Sequence, residues 1–125
     1  MLAGKNIIGF IPSVDKSKAR AFYEGVLGLE VKEEDAFAIV LDANGTDIRL
    51  VDVGAYTPFH FTILGWAVED ITATVSEMRA KGVEFETYDG MDHDELGIWT
   101  APDGARVAWF KDIDGNVLSV SQDTE

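Results

Sequence analysis

Residues 7–15, IIGFIPSVD, and residues 62–70, TILGWAVED, decide the fold. Each is an apolar run ending on an aspartate, and the two aspartates stand 55 residues apart, at 15 and 70. The apolar run reads as a strand. The aspartate reads as a helix N-cap, because its carboxylate can accept from the free N–H groups of a first helical turn. After Asp15, the residues Ala19, Phe22, Tyr23, Val26 and Leu27 recur at helical spacing and predict one buried stripe, closed by Gly28. After Asp70, the same reading takes in Ile71, Val75 and Met78, with Lys81 in the last turn and Gly82 as the stop. Gly28-Leu29-Glu30-Val31 then matches Gly82-Val83-Glu84-Phe85.

The end of each copy repeats as well. Residues 37–45, FAIVLDANG, align with 107–115, VAWFKDIDG, so that Ala38 meets Ala108, Asp42 meets Asp112 and Gly45 meets Gly115. Asn44-Gly45 and Asp114-Gly115 are hairpin-turn signals. A strand follows each turn, from Asp47 to Val53 and from Asn116 to Ser121. The turn glycines are 70 apart where the aspartates are 55 apart, so the second copy carries roughly fifteen extra residues, between Thr87 and Asp103. The unit is strand, helix, three strands, written over about 5–54 and again over about 59–122. One such sheet leaves a face bare. Two paired βαβββ units predict a single α+β domain over 1–125, with a partly open, barrel-like sheet around a cavity.

Composition excludes several classes. The chain has no cysteine, which removes disulfides, thiolate nucleophiles and Cys-ligated zinc or iron–sulfur sites. Ten Lys and Arg stand against 23 Asp and Glu, a net charge of −13, so phosphate backbones and anionic membranes are repelled. Neither nucleic acid nor a membrane is expected as a partner. The opening MLAGKNIIGF has no long apolar run and does not read as a secretory signal, and a cytoplasmic location is expected.

The segments VDKSKARAFYEGVLGLEV and AWFKDIDGNVLSV, together with the repeat, make the chain similar to the vicinal oxygen chelate superfamily. Glyoxalase I, bleomycin-resistance proteins, fosfomycin-resistance enzymes and extradiol dioxygenases belong to it. The resemblance runs over about residues 5–122 and implies a homodimer. It also implies where catalytic members place four metal ligands: seven residues before each capping aspartate and four residues past each turn glycine. Those positions hold Ile8, Ile63, Arg49 and Ser119. Three of them cannot ligate a metal and a lone serine is a poor ligand, so no metal and no cofactor are expected.

Strand alternation places Ile8, Phe10 and Pro12 toward the cavity, with Ile63, Gly65 and Ala67 from the second unit. From the closing strands come Asp47, Arg49 and Val51, and then Val117, Ser119 and Ser121. Arg49, if buried, needs an anion: Asp47, another acidic residue or a ligand carboxylate. Trp66 has the parity of a residue packed under a helix, and Trp109 is open to the same reading. Trp99, in the extra segment, is placed to cover the pocket mouth. His60 reads as a strand-edge residue. Asp92, His93 and Glu95 form an acidic loop cluster. The expectation is a metal-free protein that sequesters a small organic compound of cationic or aromatic character, with Ile8, Phe10, Pro12, Arg49, Ile63, Trp99 and Ser119 at the cavity. Two alternatives stand beside it. One is a glyoxalase-like lyase or isomerase with an atypical site around Asp92, His93 and Glu95. The other is a non-catalytic structural or regulatory module.

Overall fold

A computed structural model describes residues 1–124. The chain divides into two compact units, Met1–Thr57 and a second beginning at Pro58. The first contains β1 (Ile8–Ser13), α1 (Lys16–Arg20), a π-helical turn (Ala21–Val26), β2 (Glu30–Glu34), β3 (Ala38–Ala43) and β4 (Thr46–Asp52). The second contains β5 (Thr62–Ala67), α2 (Ile71–Ala80), β6 (Phe85–Glu86), β7 (Trp99–Thr100), β8 (Arg106–Lys111) and β9 (Val117–Gln122). Both sheets are open, and the class is α+β. No helix among the described residues is long and apolar enough to cross a membrane.

The two units share one topology. The first sheet has the order β1-β4-β3-β2, and the second β5-β9-β8-β6. In each, the first strand runs parallel to the last, and the remaining pairs are antiparallel. The parallel pair needs a crossover, which the helix and the intervening strands supply.

Both capping aspartates act as the sequence predicts. Asp15 accepts from the N–H groups of Ser17 and Lys18, and Asp70 accepts from that of Ala73. Gly28 (φ 81°) and Gly82 (φ 93°) close the helices in the left-handed region, where a side chain would be strained. One detail differs from the single α-helix expected after Asp15. The helix widens after Arg20, and the Leu27 N–H reaches back five residues to the Phe22 carbonyl at 3.0 Å. The predicted stripe still turns inward, with Ala19 and Tyr23 fully buried.

Each helix covers one face of its own sheet, α1 on β3 and β4, α2 on β8 and β9. The first core contains Ile11, Tyr23, Ile39, Leu41, Ile48 and Leu50; the second contains Ile71, Val75, Ala108, Phe110, Leu118 and Val120. Trp66 stacks with Phe110 at 6.3 Å between ring centres, on the helix-covered face as its parity predicts.

The extra residues of the second unit divide a strand in two. In the first unit β2 alone lines the outer edge of β3. In the second, β6 and β7 both pair with that edge of β8, Glu86 opposite Trp109 and Trp99 opposite Val107. The chain between them, 87–98, leaves the edge of β8, and His93 within it makes an isolated antiparallel bridge to Trp99.

Candidate functional site

The face of the second sheet away from α2 carries the site. Gly65, Ser119, Trp109 and Glu86 stand side by side across four strands. Trp109 therefore lies on the face opposite to the one expected for a residue packed under the helix, and this corrects that reading. The cause is the connection before β9. In the first unit Ala43 pairs with Thr46 across a two-residue turn, Asn44 (φ 52°) and Gly45 (φ 94°). In the second, Lys111 pairs with Val117 across a five-residue loop, 112–116. Asp112 builds that loop. Its Oδ1 accepts from the N–H groups of Asp114 and Asn116 at 2.9 Å each, and its Oδ2 from Asn116 Nδ2 at 2.8 Å. Aligning Asp42 with Asp112 thus displaces the register by one residue, which turns every side chain of β8 over. The residue equivalent to Trp109 is Val40, opposite Arg49 as Trp109 is opposite Ser119.

Around Trp109 the segment 87–98 assembles an aromatic cluster. Tyr88 meets the indole edge-on at 5.6 Å, Trp99 lies tilted at 5.9 Å and the His93 ring stands at 6.2 Å. Beside them opens a cleft of about 310 Å³ lined by His60, Phe61, Thr62, Tyr88, Trp109 and Val117. Phe61 is itself stacked on Phe59 at 5.1 Å, and both rings are largely exposed. His60, read from the sequence as a plain strand-edge residue, lines this cleft.

His93 fixes the segment. Its Nε2 accepts the Tyr88 N–H at 3.1 Å, while its Nδ1 lies 2.9 Å from the Gly97 carbonyl. A neutral ring that accepts at Nε2 carries its proton on Nδ1 and donates it to that carbonyl. Both nitrogens are engaged by backbone, so neither is free to ligate a metal. Asp94 holds the next turn, accepting from the N–H groups of Leu96 and Ile98 at 2.9 Å each. Asp92 and Glu95 are exposed and do not join His93 in a cation site. Among the described residues no group of three or more His, Cys, Asp or Glu could hold a metal ion. Burial, and secondarily the charge of Glu86, raises the Tyr88 phenol above its ordinary pKa.

The remaining predicted residues lie as follows. Ser119 shares the open face with Trp109 and Trp99. Ile63 falls at a bulge, because Thr62 pairs with Val117 and Leu64 already with Leu118. The alternation assumed through Ile63 is broken there. Ile8, Phe10 and Pro12 belong to the first unit, where they stand opposite Asp47, Arg49 and Val51 on the face away from α1. Tyr88, Trp109, Phe61 and Thr62 are cleft residues that the sequence reading did not place there. For Trp109 the signal was the loop length; Tyr88 sits in an irregular segment that offers no periodicity.

The fold defines a class, and the comparisons agree with it. The family model "Glyoxalase/Bleomycin resistance protein/Dioxygenase superfamily" matches residues 10–120. The chain belongs to this superfamily. Among solved structures it is similar to a glyoxalase/bleomycin resistance protein/dioxygenase from Alicyclobacillus acidocaldarius, with TM-score 0.71, 16% identity and coverage of 98% of this chain and 93% of that one. It is similar to lactoylglutathione lyase from Agrobacterium tumefaciens, with TM-score 0.71, 19% identity and coverage of 95% and 93%. It is also similar to TnmS3, an antibiotic binding protein from a Streptomyces strain, with TM-score 0.70, 24% identity and coverage of 99% of both chains. At these identities the likeness concerns the fold alone. No curated protein matches the chain.

Proposed function

We propose that this protein binds and sequesters a small organic compound with a planar aromatic part, without a metal. The observation that carries the reading is the cleft beside Trp109, where Phe61, Tyr88 and the indole offer ring faces and edges to a flat ligand. Ring stacking of this kind contributes about 0.5–1.5 kcal/mol per pair beyond the area buried. The positions that the family resemblance gives for metal ligands in this unit hold Ile63, which falls at the bulge, and Ser119. The indole and phenol ring faces also suit a cationic substituent; Glu86, opposite Trp109, is itself paired with the Lys111 ammonium at 3.6 Å. The reading extends to one 125-residue domain that works as a cytoplasmic homodimer. The antibiotic-binding relative supports small-molecule binding as a use for the fold.

The test is titration of the protein, after exhaustive chelation, with 1-naphthylmethylammonium and 2-naphthamide, followed by tryptophan fluorescence and calorimetry. Saturable binding, weakened by Trp109→Ala and retained by Trp109→Phe, is expected, with the compound recovered chemically unchanged. Binding that depends on added zinc, nickel or manganese overturns the reading. So does the absence of saturable binding by either compound.

A further inference from the structure

The first unit holds a cation in an unusual place. Arg49 lies in the middle of β4, on the face of the first sheet away from α1. Its cross-strand neighbours are Phe10 and Val40, and Pro12 and Val51 continue the same face. Its guanidinium carbon stands 5.8 Å from the centre of the Phe10 ring. Its Nε is buried and makes no hydrogen bond among the described residues. A buried N–H donor with no acceptor is costly, and more so when it carries charge.

The nearby carboxylates are engaged elsewhere. Asp47, two residues away on the same face, binds the Lys32 ammonium at 2.7 Å. Asp42 gives its Oδ1 to the Gly45 N–H at 2.8 Å. Asp35 feels the charge of Arg49, but its Oδ1 is taken by the N–H groups of Phe37 and Ala38, and it forms no ion pair with Arg49. Among the described residues Arg79 also forms no ion pair, but its Nε donates to the Leu96 carbonyl, whereas the Arg49 Nε has no acceptor among them.

We infer that Arg49 is an anion-recognition residue, and that the Phe10–Arg49 face of the first unit takes a small molecule bearing a carboxylate on an apolar body. The guanidinium offers a planar fork, so a carboxylate docking side-on accepts from Nε and one Nη together. Phe10, 62% exposed and 5.8 Å from the guanidinium carbon, offers its ring to the ligand body. The overall charge of −13 opposes an anion at long range. That field is screened over about 8 Å at physiological salt, whereas the fork acts at contact in a partly desolvated site. The contact therefore decides. This inference concerns a different face from the Trp109 cleft and stands without it.

The experiment compares 2-naphthoate with its neutral isostere 2-naphthamide on the full chain. Binding is read by calorimetry and by the Nε–Hε correlation of Arg49 in nitrogen-15 NMR, assigned by its loss in Arg49→Gln. The wild type is expected to prefer the carboxylate by about tenfold or more, the size of one charge-assisted hydrogen bond, with a shift of the Arg49 Nε–Hε signal. The preference should vanish in Arg49→Gln and survive only in part in Arg49→Lys, which keeps the charge and loses the fork. Circular dichroism verifies that the variants fold; if Arg49→Gln does not, the wild-type preference and the NMR shift in wild type and Arg49→Lys decide. Equal affinities, or a carboxylate preference that leaves the Arg49 signal unmoved, overturn the inference. A concentration-dependent Arg49 signal, with a smaller sedimentation coefficient for Arg49→Gln and no carboxylate preference, overturns it in favour of a carboxylate from a second copy. Absence of saturable binding of the ammonium and the amide to the wild type refutes the cleft reading and leaves this one standing.

Discussion

The imidazole of His93 accepts the backbone N–H of Tyr88 through Nε2 and donates to the Gly97 carbonyl through Nδ1, so that one ring ties both ends of an irregular segment. The segment carries Tyr88 onto the face of Trp109. Replacing His93 by alanine frees two backbone groups at once. At about 1 kcal/mol for each hydrogen bond, a loss of roughly 1–2 kcal/mol is expected in urea unfolding. Asparagine, with one acceptor and one donor on a shorter stem, should recover part of it. A His93→Ala protein as stable as the wild type would show that the ring contacts, and not these bonds, hold the segment.

Tyr88 gives a dependence on pH. Its phenol is held above the ordinary value of 10.0, chiefly by burial and secondarily by Glu86. The folded chain keeps this proton when the unfolded chain has begun to release it. The group's contribution to stability is therefore complete below pH 10 and declines as pH rises through the folded value. The ultraviolet titration of tyrosinate, taken as wild type minus Tyr88→Phe, should have its midpoint above 10. A midpoint at or below 10 would mean that the ring is open to water.

Asp112 is 7% exposed, and Asn116 beside it is 1% exposed. Its carboxylate accepts from two backbone N–H groups and the Asn116 amide. Asp112→Ala leaves those donors buried. The cost should be about 2–4 kcal/mol, since unsatisfied buried donors cost about 1–3 kcal/mol each and the loop relaxes in part. Asp42→Ala is the internal control. It removes a single bond, to the Gly45 N–H, from a more exposed turn, and about 1 kcal/mol is expected. Equal costs at the two positions would refute the view that Asp112 is a structural centre.

These loops also mark where the sequence stopped being legible. The caps and the helix ends follow from local chemistry: Asp15 and Asp70 have free N–H groups to satisfy, and Gly28 and Gly82 supply positive φ. The orientation of β8 does not. It depends on whether residues 112–116 form a short turn or a longer loop, and the similarity of FKDIDG to VLDANG conceals the difference. Because strand side chains alternate, that single residue decides whether Trp109 faces the helix or the cleft. Tyr88 and His93 were illegible for another reason. They are placed by hydrogen bonds between backbone and one ring, and nothing in spacing or hydropathy announces those. Arg49 was half legible: its face was readable, but the commitment of Asp47 to Lys32 was not.

The last prediction concerns close approach within the second sheet. A Cβ on Gly65 would fall 2.6 Å from the Ser119 Oγ and 3.5 Å from the Ser119 carbonyl oxygen. The backbone distance is ordinary contact; the hydroxyl distance is not. Gly65→Ala should therefore cost about 1–2 kcal/mol, within the range for overpacking, and the strain should come from one atom. Deleting that atom tests the account. In a double-mutant cycle, Ser119→Ala is expected to return about 1 kcal/mol in the Gly65→Ala background and little in the wild type. Should the two substitutions add without coupling, the tight packing of β5 on β9 comes from the backbone, and Ser119 is free to face a ligand unaided.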